Sequence, residues 1–308
     1  MSAPSQDVRR LTVSDIGRLY ADGERIPMLT AYDYPTARIL DDAGIPMILV
    51  GDSLGQVALG YETTVSVTME QMLHHTQAVV RGTKHALVIG DMPFLSYSSA
   101  EDALENAGRF MRDAGAQAVK IEGGVRSARI VEALVKAGVP VMGHIGWTPQ
   151  SQHGLGGKVK VQGKSKDAAR SLLSDAIAIQ EAGAFAIVLE LVPEQLAAVI
   201  TSRLHIPTIG IGAGPSTSGQ VQVITDLLGL GTFKPKHARA YADLQGTIAE
   251  AARAWMADVA AGTFPGPAET VRMDDEILDE ALGRHADDRA PGAVDRSVGA
   301  MIPLDRDL

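Results

Sequence analysis

Four helical stretches of this chain end in the same dipeptide, Ala-Gly, and each is followed within a few residues by an apolar run. The pairs are Ala43-Gly44 before residues 47–50, Ala114-Gly115 before 118–121, Ala137-Gly138 before 139–142 and Ala182-Gly183 before 185–189. A glycine just past the last helical residue is the usual helix stop, because it accepts a left-handed backbone without steric cost. Short apolar runs with no polar alternation fit strands buried on both faces. Helix stop, short turn and doubly buried strand, repeated, restrict the chain to βα units around a parallel sheet.

Further apolar runs lie at residues 27–31, 86–89, 207–211 and 221–224, which places strands near 28, 47, 86, 118, 139, 185, 207 and 221. Eight βα units across residues 25–262 have the size of a (β/α)8 barrel, typically about 250 residues. A doubly wound open sheet is the competing architecture and ranks behind it. The seventh unit is the weak point, since residues 212–220 leave room for only a turn or two of helix. Helix starts are marked by Ser14, by Thr68 with Gln71 and by Ser98 with Glu101, the last two of capping-box form, and by Ser127 and Pro193. The expected catalytic domain is residues 1–264, with residues 1–12 as a mobile start. Residues 265–308 form a C-terminal extension, an acidic amphipathic helix from Asp274 to Arg284 and then a flexible tail.

Composition narrows the function. Net charge is −9 and no Lys/Arg cluster carries interleaved aromatics, so nucleic acid and anionic membrane are poor partners. The absence of cysteine excludes disulfides, thiolate metal sites and cysteine nucleophiles together. The polar start of the chain has no signal-peptide core and no apolar run approaches membrane-spanning length, so a cytoplasmic enzyme acting on small molecules is expected.

The carboxyl ends of the strands carry the chemistry in such folds. Strand two ends in Asp52 and Ser53, strand three in Asp91, strand four in Lys120 and Glu122, strand five in His144 and strand six in Glu190. Lys120 and Glu122, two residues apart, share a side of an extended strand. Asp52 or Asp91 alone reads as a helix cap, and Glu122 alone as a salt-bridge partner. Four carboxylates on one rim ask for a compensating cation, and carboxylates with water and substrate oxygens are the ligand set of Mg²⁺.

Other features weigh less. His74-His75 reads as a surface or packing pair. Gly210-Ile-Gly-Ala-Gly214 could cradle a phosphate or simply pack the short seventh unit. No serine sits in a nucleophile-elbow context. The glycine-rich stretch 143–157 is either a cover over the site or a plain flexible connection.

Taken in order, Met28-Leu-Thr-Ala-Tyr-Asp33, Val50-Gly-Asp-Ser-Leu-Gly55, Gly90-Asp-Met-Pro-Phe94, Val119-Lys-Ile-Glu-Gly-Gly124, Gly143-His-Ile-Gly146 with Thr148-Pro-Gln-Ser151, Leu189-Glu190 with Val192-Pro193, and residues 206–214 closely resemble the ketopantoate hydroxymethyltransferase family. The resemblance covers roughly residues 10–262. It implies a (β/α)8 TIM barrel of the phosphoenolpyruvate and isocitrate-lyase type and a homodecamer. It also implies transfer of a one-carbon unit from 5,10-methylenetetrahydrofolate to 3-methyl-2-oxobutanoate, with Mg²⁺, to give 2-dehydropantoate on the route to pantothenate and coenzyme A. Carried over by motif, Asp52 and Asp91 would hold the metal with Glu122, and Asp52, Ser53, Asp91 and Lys120 would contact the oxo acid. His144 would hydrogen-bond near the substrate oxygens, and Glu190 would accept the proton.

The chain departs from the family pattern in an extra residue within 157–163, in Thr225 where a histidine is common, and in the extension after 265. A related lyase or mutase on the same barrel would be expected to carry a distinct lid and, in the lyases, usually a catalytic cysteine, which this chain lacks. A catalytically silent barrel would have no reason to keep the acids and Lys120 together.

Overall fold

Eight parallel strands pair in chain order, and the last returns to the first to close a barrel. The computed structural model describes residues 9–231 and 235–283. Among these residues the order is α1 (Val13–Ala21), β1 (Ile26–Thr30), α2 (Tyr34–Asp42), β2 (Met47–Val50), α3 (Leu54–Val57), α4 (Met69–Gly82), β3 (Leu87–Asp91) and α5 (Ala100–Gly108). A π-helical turn over Arg109–Asp113 extends α5. There follow β4 (Ala118–Glu122), α6 (Ala128–Lys136), β5 (Val141–Gly146), α7 (Lys166–Glu181), β6 (Ala186–Glu190), α8 (Glu194–Arg203), β7 (Thr208–Ile211), β8 (Gly219–Gln222) and α9 (Ile224–Leu228). The chain falls into two compact units, Met1–Gly246 and Thr247–Leu308. Helices α10 (Leu244–Ala261) and α11 (Asp275–Ala281) complete the described elements. The tail expected over residues 285–308 lies outside the described residues, as do residues 1–8 of the expected mobile start. Leu11 is tied down, its N–H reaching the carbonyl of His85 at 2.7 Å.

Strand alternation sorts the side chains into an inner and an outer core. Met28, Met47, Leu49, Leu87, Ile89, Ala118, Met142, Ala186, Val188, Ile209 and Val221 meet inside the barrel, with Ile16 of α1 among them. The residues between them, such as Ile48, Val88, Val119, Val141 and Ile187, pack outward with the helices. Glycine in a strand marks where a helix comes closest. A Cβ on Gly90 would lie 2.3 Å from Phe110, whose ring is fully buried and contributes roughly 1.5–3 kcal/mol.

Asp41 explains how the start of β3 is held. Its buried carboxylate accepts from the backbone N–H groups of Lys84 (2.7 Å), His85 (3.0 Å) and Ala86 (2.7 Å), satisfying donors that the turn after α4 leaves open.

Several local expectations shift by a residue or two. The cap of α1 is Thr12, whose N–H and hydroxyl both bond Asp15, so an aspartate closes the box from N3. The cap of α5 is Ser99, which accepts from Asp102 N–H, while Ser98 bonds the Asp102 side chain. Thr68 and Gln71 form the expected reciprocal pair at α4. The last strand ends at Gln222, because Ile224 turns into α9 with its N–H on the Thr30 hydroxyl at 2.9 Å. No helix separates β7 from β8 among the described residues; the chain turns directly. No described helix is long and apolar enough to cross a membrane.

Candidate active site

The inner rows of the barrel change character at their carboxyl ends. In β3 the inward positions read Leu87, Ile89, Asp91; in β4, Ala118, Lys120, Glu122; in β5, Met142, His144; in β6, Ala186, Val188, Glu190. Apolar residues therefore fill the lower inward positions and polar ones the upper, and strand register decides who meets whom. Asp91 lies beside Lys120, Glu122 beside His144, and Gly146 beside Glu190.

Side chains follow that register. Lys120 Nζ sits 2.7 Å from Asp91 Oδ1, both nearly inaccessible. The Asp52 backbone N–H, at the end of β2, donates to Asp91 Oδ2 at 3.0 Å. His144 is central: Nδ1 lies 3.2 Å from Lys120 Nζ and 3.5 Å from Glu122 Oε1, and Nε2 lies 3.2 Å from Glu190 Oε2. Glu190 is the open member, with 17% of its side chain accessible against 1% for Glu122. Ser53 stands at the edge, its hydroxyl 2.9 Å from that of Tyr32. All the residues that the strand ends singled out meet here, whereas His74 and His75 lie on α4, where His75 Nδ1 meets the Tyr32 carbonyl at 2.6 Å.

Carboxyl groups outnumber cationic groups here, and their mutual repulsion shows at the buried Asp52. Burial, then the neighbouring Asp91 and Glu122, raise the Asp52 carboxyl well above its ordinary value, against the opposing pull of Lys120 and Gln150. Burial alone would depress Lys120, but Asp91, Glu122 and Asp52 outweigh it and hold the ammonium charged. For His144, burial and Lys120 push down, and bonding to Glu122 and Glu190 overcomes them, raising the imidazole to about 9.

Among the described residues no group of three or more His, Asp or Glu side chains is spaced to hold a cation unaided. Mg²⁺ asks for less, since one or two carboxylates suffice when water and substrate supply the other oxygens. Glu122 Oε1 is buried with no hydrogen bond, His144 Nδ1 lying 3.5 Å away, and Asp52, Asp91 and Glu122 supply hard carboxylate oxygens, so the residues present fit a hard divalent cation.

Sequence reasoning missed the loop residues that enter this layer. Gln150 is 4% exposed and its amide touches Asp52; Tyr97 reaches Gln150 in turn. Only the polar, glycine-rich character of the stretch hinted that it covers the site. Gly146 has φ +94°, and a Cβ there would lie 2.2 Å from the Glu190 carbonyl oxygen, so only glycine lets the loop leave β5 across β6. The Gly210–Gly214 stretch serves packing: it turns straight into β8, and Cβ atoms at its glycines would strike Thr217, Leu191 and Glu194. Around the rim of β4 and β5 lies a cleft of about 650 Å³, bordered by Arg126, Gly146, Thr148, Ser151 and Asp175.

Leu191, next to Glu190, is strained at φ 48°, a conformation that costs a side-chain-bearing residue about 1–3 kcal/mol. It is held there by N–H donation to Ile211 O at 2.9 Å and by accepting Gln162 N–H at 2.8 Å. Leu191→Gly should remove the strain, leave the unfolding temperature within about 3 °C of the parent and lower kcat roughly tenfold, with little change in KM, as Glu190 loses its fixed aim. Unchanged kcat would show that the strain has no part in positioning Glu190.

The chain matches the family model described as ketopantoate hydroxymethyltransferase over residues 10–267. It is 60% identical over 275 residues to a 3-methyl-2-oxobutanoate hydroxymethyltransferase of Chloroflexus aurantiacus, covering 89% of this chain and 97% of that protein. A Dehalococcoides mccartyi protein of the same name is 58% identical over 273 residues, covering 88% of this chain and 96% of its own. Among solved structures, a 2,3-dimethylmalate lyase of the PEP mutase/isocitrate lyase superfamily shares the fold at TM-score 0.54 and 15% identity, covering 89% of this chain and 97% of that one. A phosphonopyruvate hydrolase solved with oxalate and Mg²⁺ has TM-score 0.54 and 13% identity, covering 89% and 95%.

Proposed function

The chain belongs to the ketopantoate hydroxymethyltransferase family, and from that premise we propose that its charged layer catalyses hydroxymethyl transfer from 5,10-methylenetetrahydrofolate to 3-methyl-2-oxobutanoate. The observation that carries the reading is the placing of Glu190, accessible and 3.2 Å from His144, above a buried carboxylate–lysine cluster.

Removing the proton from C3 sends an electron pair toward the C2 carbonyl oxygen, so the site must take a proton at one end and stabilise an oxyanion at the other. Glu190 takes the proton. His144 Nε2 faces Glu190 Oε2 and leaves the other oxygen for substrate. Lys120 offsets negative charge that reaches the buried end, and Ser53, bonded to Tyr32, holds the oxo acid at its edge. Mg²⁺ held by Asp52 and Asp91, with Glu122 joining directly or through water, would supply Lewis-acid stabilisation of the carbonyl oxygen. The C3 carbanion equivalent then forms a C–C bond to the methylene carbon, and one water supplies the hydroxyl as tetrahydrofolate leaves. The cleft beside β5 offers room for the donor at the same rim.

Catalysis on this reading belongs to residues 1–264, and the extension 265–308 is assigned no function. The enzyme works in the cytoplasm as a homo-oligomer, a homodecamer by family resemblance, and the apolar Ile248, Trp255 and Val259 of α10 suit self-association.

The direct test is conversion of 3-methyl-2-oxobutanoate by the full chain with each component withheld. Product should require both 5,10-methylenetetrahydrofolate and a divalent cation, and turnover without the folate would overturn the donor assignment. In parallel, Asp52→Ala should weaken Mn²⁺ binding by at least about tenfold. Unchanged affinity would remove Asp52 from the ligand set.

A further inference from the structure

Gln150 has no acid–base chemistry of its own, yet it joins the ends of three strands. It follows Pro149 in a single 3₁₀ turn, Pro149–Ser151, and its side chain is buried. Its Nε2 donates to Asp52 Oδ2 and to the Met92 carbonyl, each at 2.9 Å. Its Oε1 accepts from the Tyr97 hydroxyl at 2.5 Å, and its backbone N–H donates to Glu122 Oε2 at 3.1 Å. The amide has one workable orientation. Flipped, its oxygen would face the Met92 carbonyl, an acceptor that never carries a proton.

We infer that Gln150 is a positioning residue that sorts the oxygens of Asp52 and Glu122, engaging one oxygen of each and leaving the other for the cation and the oxo acid. Asp52 Oδ2 is taken by the Gln150 amide, which leaves Oδ1 to a ligand. Glu122 Oε2 is taken by the Gln150 backbone, and Oε1 is the buried oxygen without a hydrogen bond. The loop that carries Gln150 also grips the base strand. Trp147 N–H donates to the Glu190 carbonyl and Gln162 N–H to the Leu191 carbonyl, both at 2.8 Å. One loop therefore fixes the metal side and the base side of the site relative to each other. Partners of this kind, one bond removed from a metal, typically change affinity or activity 10–100-fold when lost.

The inference rests on the proposed cation at Asp52 and Asp91, and the test separates the two. Mn²⁺ affinity is titrated by its paramagnetic signal for the parent, Asp52→Ala, Gln150→Ala, Gln150→Met and Tyr97→Phe, each checked for folding by thermal unfolding. Gln150→Met keeps nearly the native volume and removes both donors, so it divides donation from packing. Gln150→Ala and Gln150→Met should both weaken Mn²⁺ roughly tenfold or more, with kcat falling further than KM rises. Tyr97→Phe, which frees the amide without deleting it, should lose about threefold, in keeping with one lost hydrogen bond. A Gln150→Met protein that binds Mn²⁺ like the parent overturns the inference, because packing alone then suffices. If the Gln150 variants do not fold, Tyr97→Phe decides, and parental affinity there overturns it too. Parental affinity in Asp52→Ala overturns the cation assignment itself, and this inference with it.

Discussion

Glu190→Gln is expected to abolish deuterium exchange at C3 of 3-methyl-2-oxobutanoate, a loss of roughly 10²–10⁴-fold, while oxo-acid binding stays within about threefold of the parent. Glutamine has the same shape and keeps an acceptor for His144 Nε2, 3.2 Å away, so the layer beneath should not rearrange. What disappears is the capacity to hold a proton. Exchange isolates this step because it needs neither the folate nor C–C bond formation. Normal exchange in the variant, measured by NMR, would remove Glu190 from the role of base.

The second large effect is on stability. Lys120→Met should cost about 3–5 kcal/mol in urea unfolding without divalent cations, because Asp91 loses the ammonium 2.7 Å away and stays buried beside Asp52 and Glu122. Methionine fills nearly the same space, so the loss reports charge and not a cavity. Saturating Mg²⁺ should recover part of it by binding the folded state alone. Adding Asp91→Asn to Lys120→Met should cost less than the two single changes together, since the second removes the charge that the first strands. A parental unfolding midpoint for Lys120→Met would mean that the pair contributes nothing to holding the rim.

Much of this architecture was legible in advance because it is local. The run 47–50 is buried on both faces, as its unbroken apolar character requires, and β2 forms there. Thr68 and Gln71 sit one helical turn apart and cap α4 together. Errors arose where two equivalent signals lie side by side. Ser98 and Ser99 are followed by Glu101 and Asp102, and either pair could start α5; packing chose the second. The return from β7 to β8 was legible as a short link with room for a turn or two of helix at most; that it holds no helix was decided only on folding.

The site divides the same way. Asp91, Lys120, Glu122, His144 and Glu190 were visible as the polar residues at strand ends, and period-two alternation put Lys120 and Glu122 on one side; that this side faces inward was decided by the closed barrel. Asp52 and Ser53 were equally visible as the first polar residues after β2. Gln150 was not, since an amide in a glycine-rich loop has no pattern until the loop is folded onto Asp52 and Glu122. Leu191 looks like any leucine until the bonds to Ile211 and Gln162 force its backbone left-handed.

The sequence by itself therefore determined the number and order of strands, the residue types at the barrel mouth and the family to which they belong. The strands follow from spacing along the chain, and the family from the resemblance of the ordered motifs at their ends. Only the tertiary structure decided that Asp91 meets Lys120, that His144 stands between Glu122 and Glu190, and that Gln150 ties the loop to the acids. Those pairs depend on register between strands and on a loop that folds back 98 positions from Asp52, and such contacts are set by the packing of the whole barrel.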